Sequence, residues 1–472
     1  MTFGLTEILR MNFSTPSLKL TDELLKQTTS RCPVCHVPCP AEVWRTGGIL
    51  PKVFLKRTCP EHGEVSVCIA SDARFYWLAK GNAENDCCGG QACCAADGAP
   101  AGTLGRNAEP GDALGVMEKL STCLALIEIV NSCNLACPTC FADSPVGAGQ
   151  KVDAVPLSEL QQRIQGVLDR KGKIEILQLS GGEPTLHPQF FDLLRWLHAN
   201  PKIDYVLLNT NGVRIANDEA FANELAQTFR YGKFQLYLQF DGPQEAGQKF
   251  LRGADLRATR ERCLERCREM KLPVTLAMTV TPENLPFIWE AIDFGLQWSN
   301  VRGISFQPMF TSGRIPHPDT SRLPARLNTA DIILAAVGQS AGKLRFEDFT
   351  PLPCGDPNCA TIGYLLKVGG QIRSVSDFVD FKNVQGFLGT KVRYKLEDLM
   401  KCGCESEPLG ELLKEFELDE SHTFRLFIKP FMDAATWDED RIDRCCTHVI
   451  RPDGKLDSFC RYYSGFADCR TE

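Results

Sequence analysis

Three cysteines lie close together in the segment CNLACPTC, with three residues between the first two and two between the last two: Cys133, Cys137 and Cys140. Cysteines that cluster in this way are typical of metal or iron–sulfur ligands, because thiolates bind zinc and iron. Three thiolates can hold three irons of a 4Fe-4S cube and leave the fourth iron open to a small molecule. The spacing therefore predicts a reactive iron–sulfur cluster.

Short apolar segments precede each group of candidate site residues. The sequence predicts six strands separated by helix-length segments, at 124–130, 174–180, 205–210, 234–240, 274–280 and 301–308. Strands that alternate with helices form a parallel sheet, and six such units predict an α/β fold with a partial (β/α)6 TIM-like barrel. The chemistry of such a barrel lies at the carboxyl ends of its strands, so the residues after each strand are the candidates.

The carboxyl ends of the first four predicted strands carry distinctive segments. The cysteines follow the first strand, SGGEP (180–184) the second, NTNG (209–212) the third and DGP (241–243) the fourth. Glycines allow a ligand to approach the backbone closely, and short polar side chains supply hydrogen bonds. Each segment alone also fits an ordinary turn, but their order on consecutive strands indicates one shared site.

The motif C-x3-C-x2-C, with GGEP after the next strand, resembles the radical S-adenosylmethionine (SAM) superfamily. The resemblance implies a 4Fe-4S cluster whose open iron binds SAM, a reductant such as flavodoxin or ferredoxin, and cleavage of SAM to a 5'-deoxyadenosyl radical. It assigns cluster ligation and catalysis to Cys133, Cys137 and Cys140. It assigns SAM binding to Phe141, Gly181, Gly182, Glu183, Pro184, Thr210, Asn211 and Asp241, with residues 303–307 at the adenine side.

Cysteine-rich segments toward both ends of the chain narrow the resemblance. RCPVC and TCPEHGE near the N-terminus, PLPCGDPNCA at 351–360 and the segment 429–460 resemble the group that contains archaeal tetraether lipid synthase and the methanogen dihydropterin methylase. This resemblance implies a transferase with several clusters that forms carbon–carbon bonds at unactivated carbons. Lipids, pterins and other small molecules are the substrate classes that it allows.

The N-terminal cysteines predict a small metal-binding domain over residues 1–80, of the rubredoxin or zinc-ribbon type. Cys32, Cys35 and Cys59 supply three ligands of a tetrahedral site, and Cys39, His62 or Cys68 supplies the fourth. Four cysteines would suit mononuclear iron and zinc equally well. The sequence therefore predicts a single iron or zinc ion here.

The C-terminal region, 346–472, is predicted to be an auxiliary iron–sulfur domain. Its candidate ligands are all cysteines: Cys354, Cys359, Cys402, Cys404, Cys445, Cys446 and Cys460, with Cys469 as the weakest member. Eight thiols are the number that two fully ligated 4Fe-4S clusters use. Three further cysteines are expected to be buried free thiols that behave as small apolar residues: Cys123, Cys263 and Cys267.

Residues 81–115 are predicted to be a linker or an insertion before the radical SAM barrel, which is placed at 116–345. This segment contains DCCGGQACC, with Cys87, Cys88, Cys93 and Cys94 in a glycine-rich context that lacks apolar periodicity. Vicinal thiols suit a soft metal, a metalloid or thiol–disulfide exchange, and the alternative is a plain linker that tolerates them. Both interpretations fit the sequence.

The overall composition limits the setting. A net charge of −7 over 472 residues argues against a nucleic-acid partner bound through a broad basic surface. No apolar run is long enough to span a bilayer as an integral membrane segment, and the first residues lack the pattern of a signal peptide. These features predict a cytoplasmic protein.

Three classes of function follow from these features. The first is a radical SAM enzyme that forms a carbon–carbon bond, by methylation or alkyl coupling, on a small-molecule or lipid substrate. The second is radical SAM transfer of a methyl or aminocarboxypropyl group to a soft heteroatom, such as a metalloid or sulfur, held by the cysteines of 87–94. The third, a non-enzymatic iron–sulfur electron carrier, is disfavoured because a carrier needs neither an open iron nor GGEP.

Overall fold

The computed structural model describes residues 21–78, 122–147, 152–315, 326–352, 355–368, 371–374, 377 and 422–465. Residues 21–78, called the ribbon below, form a four-stranded antiparallel sheet in sequence order: Glu23–Arg31 (β1), Pro38–Arg45 (β2), Val53–Cys59 (β3) and Gly63–Ala70 (β4). The ribbon has a small apolar core of Ala41, Val43, Val53, Leu55 and Ala70. So few buried residues stabilise a domain weakly, which makes a bound metal valuable here.

Six parallel strands follow, and their order across the sheet is their order in the chain: Leu124–Val130 (β5), Ile174–Gly181 (β6), Ile203–Thr210 (β7), Phe234–Gln239 (β8), Val274–Val280 (β9) and Val301–Pro308 (β10). They confirm the six predicted strands, with small differences at the ends. In the described sheet β5 and β10 do not pair with each other, so the barrel is open between them. The expected α/β fold with a partial barrel is confirmed.

Helices cover the outer face of these strands or cap their ends: Leu157–Lys171 (α1), Phe190–Ala199 (α2), Val213–Asn217 (α3), Glu219–Thr228 (α4), Glu245–Arg252 (α5), Arg257–Glu269 (α6), Ile288–Leu296 (α7), Thr329–Gln339 (α8), Glu439–Asp443 (α9) and Phe459–Ser464 (α10). Short 3-10 helices occupy Ala73–Phe75, Pro184–Leu186, Leu285–Phe287, Phe346–Asp348 and Ala434–Thr436. Helix α1 buries Leu160, Ile164 and Leu168, whose spacing of four places them on one face. Within the described ranges, every helix is too short or too polar to cross a membrane.

The two faces of the barrel sheet differ in chemistry. Along β8, Phe234, Leu236 and Leu238 are fully buried in the main apolar core, whereas Gln235 and Tyr237 alternate with them and face the interior. The core therefore lies between the strands and the helices. The interior of the barrel is left free for a cavity that Gln235 and Tyr237 line.

The C-terminal strands extend the same sheet at both edges: Thr350–Pro351 (β11), Thr361–Val368 (β12), Gln371–Ser374 (β13), Thr423–Ile428 (β14), Thr447–Ile450 (β15) and Leu456–Ser458 (β16). Strand β14 pairs in parallel with β10, and β15 pairs in parallel with β5. The free hydrogen-bonding edges of the barrel are thereby covered. In the described residues, the predicted C-terminal region shares the barrel's sheet and has no separate sheet of its own.

Candidate functional site

The loop after β5 presents Cys133, Cys137 and Cys140 to one cavity of about 330 Å³. Backbone bonds hold this loop at both ends. Cys133 N donates to Pro145 O at 2.9 Å, and Cys140 N donates to Arg314 O at 2.9 Å. The guanidinium of Arg314 also donates to Cys137 O at 3.0 Å. The segment after β10 therefore fixes the loop that carries the thiols.

The environment of these thiols fits a bound iron–sulfur cluster. Burial raises the pKa of Cys133 to about 12 and also raises the pKa of Cys137. Iron binds the thiolate form, so its positive charge would offset this cost. The sulfurs of Cys133, Cys137 and Cys140 lie too far apart to bind one ion together. Among the described residues, the only cluster of side chains close enough to bind a single ion lies in the ribbon. In a cube each thiolate binds a different iron, which suits this wider spacing.

The two glycines of GGEP, at the end of β6, pack directly against the cysteine loop. A Cβ on Gly181 would lie 2.1 Å from Val130 O, and a Cβ on Gly182 would lie 2.1 Å from Ser132 O. Gly181 also has a φ of +125°, which side chains rarely adopt. Both glycines line the cavity. Their first role is thus to let the ends of β5 and β6 approach each other.

Glu183 joins the GGEP segment to the NTNG segment. It is 1% exposed, and it accepts hydrogen bonds from Thr210 Oγ1 at 2.7 Å and from the Asn211 backbone at 2.8 Å. Burial raises the pKa of Glu183, and these donors oppose the increase. Asn211 Nδ2 in turn donates to Asn134 Oδ1 in the cysteine loop at 2.6 Å. Pro184 begins a 3-10 helix and does not line the cavity.

Asp241 forms a buried ion pair with Arg252. Arg252 Nε and Nη2 donate to the two carboxylate oxygens at 2.6 and 2.9 Å, and the side chains of Arg252 and Asp241 are 9% and 1% exposed. Arg252 lines the cavity and interacts with the Cys137 thiol, whereas Asp241 does not line it. The sequence did not single out Arg252, because basic residues are common at the last turn of a helix.

The inner wall of the cavity is rich in amides. Its polar side chains come from the interior faces of β6 to β10: Gln178, Ser180, Asn209, Thr210, Gln235, Tyr237, Gln239, Thr275, Thr279, Ser305 and Gln307. Gln178 Nε2 donates to Asn209 Oδ1 at 2.5 Å, and Gln307 Nε2 donates to Tyr237 OH at 2.7 Å. Ser305 and Gln307 belong to the predicted adenine side. These groups offer donors and acceptors to a polar ligand.

The opposite wall is aromatic. Phe141, next to the third cysteine, lies 4.8 Å from the Tyr463 ring and 5.8 Å from the Phe459 ring, both on α10. Phe310 and Phe431 complete the group, and Phe431 stacks on Phe459 at 4.0 Å. Phe141 lines the cavity as expected of a site residue, but its closest ring partners come from the C-terminal part of the chain.

The ribbon holds a compact group of four ligands: Cys32, Cys35, Cys59 and His62, each with one ligand atom within 4.8 Å of the others. The Cys35 and Cys59 sulfurs are 3.7 Å apart, and His62 Nδ1 lies 3.7 Å from Cys32 Sγ and 3.6 Å from Cys59 Sγ. A tetrahedron with metal–sulfur bonds of ~2.3 Å has edges of about 3.8 Å, close to these distances. The donor set therefore fits a single tetrahedral ion.

The sequence allowed three residues as the fourth ligand, and His62 is the one that lies beside Cys32, Cys35 and Cys59. Cys39 instead points its sulfur at Val37 O, at 3.4 Å, and Cys68 lies opposite Phe54 in the sheet. A set of three cysteines and one histidine is a common structural zinc site. The histidine therefore favours zinc over rubredoxin-like iron, which the sequence had left equal.

Four of the predicted auxiliary ligands belong to the described residues: Cys359, Cys445, Cys446 and Cys460. Burial raises the pKa of Cys446 and of Cys460 to about 11, and in both cases the charge of Cys359 contributes to the increase. These thiols therefore lie near one another, and Cys446 also lines the cavity. Three predicted ligands lie outside the described residues, namely Cys354, Cys402 and Cys404. Cys469 and the insertion with its four cysteines lie outside them as well.

The three cysteines expected to be free and buried divide into two groups. Cys263 and Cys267 are free, fully buried and part of the main apolar core, as expected. Cys123 is disulfide-bonded, so the expectation of a free thiol was wrong at this position. This bond was not predictable from the sequence, because thiols that pair in space need not be close in the chain.

Family models match two parts of the chain. Residues 127–295 match the model of the radical SAM superfamily, and residues 24–71 match the HMPTM N-terminal zinc ribbon domain. The chain is similar to the 7,8-dihydro-6-hydroxymethylpterin dimethyltransferase of Methanocaldococcus jannaschii, with 26% identity and 93% of each chain covered. A shorter match to the GTP 3',8-cyclase of Chlorobaculum tepidum is 37% identical and covers 18% of this chain and 25% of that protein.

Solved structures give partial matches. SuiB of Streptococcus suis bound to S-adenosylmethionine matches with a TM-score of 0.37 and 16% identity, over 47% of each chain. AdoMet-bound anSMEcpe matches with a TM-score of 0.32 and 26% identity, over 39% of this chain and 50% of that one. Both matches leave more than half of this chain uncovered.

Proposed function

We propose that this chain, a radical SAM enzyme whose cofactors are a 4Fe-4S cluster and SAM, transfers a methyl group to carbon on a small nitrogen-rich ring of the pterin class. The methyl transfer forms a carbon–carbon bond. One observation carries the proposal: the three thiols and an amide-rich wall share one cavity. The relative that covers 93% of both chains, a dihydropterin dimethyltransferase by name, supports the same reaction.

Within this proposal Cys133, Cys137 and Cys140 hold the cluster and its open iron binds SAM. When bound, the cluster and SAM would supply a 5'-deoxyadenosyl radical that can take hydrogen from an unactivated carbon, and this cleavage leaves methionine with its methyl group intact. The transferred methyl group would therefore come from a second SAM, which leaves as S-adenosylhomocysteine, and the reductant would supply two electrons for each methyl group transferred. The remaining SAM contacts are assigned to Gly181, Gly182 and Glu183, to Thr210 and Asn211, and to Phe141. Asp241 acts in this scheme through its ion pair, which holds the Arg252 guanidinium beside Cys137.

The amides of the inner wall favour a polar ring over a lipid chain. Gln178, Gln235 and Gln307 point amide groups into the interior. These amides already donate to neighbouring side chains, Gln178 to Asn209, Gln235 to Thr275 and Gln307 to Tyr237, so a hydrocarbon placed there would leave unused only their remaining donors and acceptors. A ring with nitrogen and oxygen atoms at its edge can satisfy them, while its faces pack on the aromatic wall.

A second metal centre is proposed at the C-terminal cysteines. Cys359, Cys445, Cys446 and Cys460 lie near one another beside the cavity, and Cys354, Cys402 and Cys404 are assigned to auxiliary clusters from the sequence alone. Arg441 Nη2 lies 3.7 Å from Cys359 Sγ and supplies positive charge next to these thiols. A flavodoxin or ferredoxin is proposed as the reductant.

The test is an anaerobic reaction with reconstituted protein, a reductant, SAM labelled in its methyl group and 7,8-dihydro-6-hydroxymethylpterin. We expect 5'-deoxyadenosine and a pterin that carries the label on carbon, measured by mass spectrometry. Replacing Cys133, Cys137 and Cys140 together by Ala should abolish both products. The matched control is Cys68→Ser, which removes a free thiol outside both metal sites and should leave both products unchanged.

Two outcomes would contradict the proposal. Production of 5'-deoxyadenosine by the triple Ala variant would remove the assignment of the cluster ligands. Label on sulfur or on a metalloid, lost when the four cysteines of 87–94 are replaced by Ser, would favour the heteroatom reaction instead.

A further inference from the structure

The first strand of the ribbon docks on the segment that leads to the C-terminal cysteines. Lys26 Nζ lies 2.7 Å from Asp438 Oδ2, with the Lys26 and Asp438 side chains 20% and 5% exposed, and Thr28 Oγ1 donates to Asp438 Oδ1 at 2.8 Å. Arg31, at the end of the same strand, lies over the Trp437 ring at 5.8 Å. A largely buried carboxylate with both a cation and a hydroxyl partner makes a specific contact, because removal of the cation leaves its charge unpaired and removal of the hydroxyl leaves an oxygen without its hydrogen bond.

The last described residues of the ribbon make a second contact, next to Cys359. The Trp77 backbone N donates to Asn358 Oδ1 at 2.9 Å, and Asn358 Nδ2 donates to Trp77 O at 2.6 Å. One amide side chain thus pairs with both backbone groups of one ribbon residue, in the manner of a strand pair. Asn358 directly precedes Cys359, so this contact fixes the backbone at a predicted metal ligand.

Helix α9 connects the contact at Asp438 with the contact at Asn358, close to the thiols. Asp438 immediately precedes α9, and Arg441 on that helix donates to Asn358 O and to Pro430 O, each at 3.1 Å. The same guanidinium lies 3.7 Å from Cys359 Sγ. Helix α9 ends at Asp443, two residues before Cys445. The ribbon therefore contacts two of the three chain segments that supply thiols to this region, the segment of Cys359 and the segment that leads to Cys445 and Cys446.

The ribbon's own metal ligands lie next to the strand that makes the first of these contacts. Strand β1 ends one residue before Cys32, and β3 ends at Cys59, so an ion bound to both joins the docking strand to the rest of the ribbon. Between them, Arg57 is 2% exposed, donates to Ser30 Oγ and interacts with the charge of Cys32. Three thiolates and a divalent ion carry one net negative charge, which this buried cation would balance.

We infer that the ribbon positions the C-terminal cysteines, so that metal binding in the ribbon promotes metal binding at Cys359, Cys445, Cys446 and Cys460. This inference rests on the proposed second metal centre. Lys26, Thr28 and Asn358 act as positioning residues. Two metal sites are coupled in this way when they share chain segments that become ordered together. The first metal bears the entropy cost of ordering those segments, so the second metal binds at a lower cost.

The test compares Lys26→Met combined with Thr28→Val against the control Lys52→Met, an exposed ribbon lysine for which no side-chain bond is seen. Both are built in the full chain, on the background in which Cys133, Cys137 and Cys140 are Ala, so that iron reports the C-terminal centre alone. We expect iron per chain to fall by about half or more, and amide exchange at 355–361 and 439–446 to rise by at least about tenfold. The ribbon metal, measured as zinc, should be retained.

Equal iron and equal exchange in the two variants would overturn the inference. A second variant, Cys35→Ser, removes one ribbon ligand and should give the same loss of C-terminal iron with loss of zinc; full retention of that iron would also overturn it. Failure of the proposed second centre has a different signature, because the background protein itself would then lack iron. The exchange measurement would still test the positioning in that case.

Discussion

Among single residues, the pair Asp241–Arg252 illustrates what the sequence reveals and what it hides. The DGP segment marked Asp241 because it follows a strand, which is information within one stretch of chain. Its partner lies eleven residues later in the chain and on a helix, and only the folded structure shows that the guanidinium meets both Asp241 and Cys137. The same holds for His62, which the sequence could place only among three alternatives for the fourth ribbon ligand.

The buried pair leads to a stability prediction. Arg252→Met should lower the free energy of unfolding by about 3 to 5 kcal/mol, because it leaves the Asp241 carboxylate buried without its cation. The additional change Asp241→Asn should recover part of this loss. The measurement is denaturant unfolding of each variant.

A surface pair of the same type provides the control. Arg257 and Asp255 form an ion pair whose side chains are 39% and 36% exposed. Arg257→Met should therefore cost less than about 1 kcal/mol. If Arg252→Met proves no more costly than this control, burial does not give the Asp241–Arg252 pair its importance.

Among helices and strands, the sequence pattern predicted where each element lies in the chain. The six barrel strands were found because each is a short apolar run with turn residues after it, and the helices because of their length between strands. The pairing of β14 with β10 and of β15 with β5 was not predictable. Strand 423–428 alternates between buried and partly buried side chains, but this alternation does not identify its partner strand.

Helix α2 gives a prediction for pH. His198 lies at the last turn of α2, where the helix dipole favours the charged imidazolium. Burial, with Arg230 and Lys233 nearby, outweighs this and lowers the pKa of His198 to about 4. The neutral form is therefore favoured in the folded protein. Its contribution to stability is present above the unfolded pKa of about 6.5 and is lost as the pH falls toward 4.

We expect wild-type protein to lose about 1 to 2 kcal/mol of stability from this group between pH 6.5 and 4, since partial screening by solvent reduces the full effect of the shift. His198→Gln should flatten that part of the profile of unfolding free energy against pH. The control His36→Asn changes an exposed ribbon histidine and should leave the profile unchanged. Parallel profiles for His198→Gln and the wild type would show that His198 is not responsible.

For the chain as a whole, iron content measures how many clusters it holds. One cube at Cys133, Cys137 and Cys140 accounts for about four irons per chain, and a second cube at the C-terminal cysteines raises this to about eight. We therefore expect anaerobically reconstituted protein to contain about eight irons or more, with one zinc in the ribbon. An iron content of about four per chain would return the C-terminal cysteines to structural or zinc roles.

The pairing of β15 with β5, and of β14 with β10, has a consequence for the order of events during synthesis. The ribosome releases the loop that carries Cys133, Cys137 and Cys140 long before it makes the strands that flank β5 and β10. Until then both sheet edges are open, and an open edge can pair with another chain. A nascent or truncated chain that lacks 422–472 should therefore aggregate, and delivery of iron should succeed best after the last strands have joined the sheet.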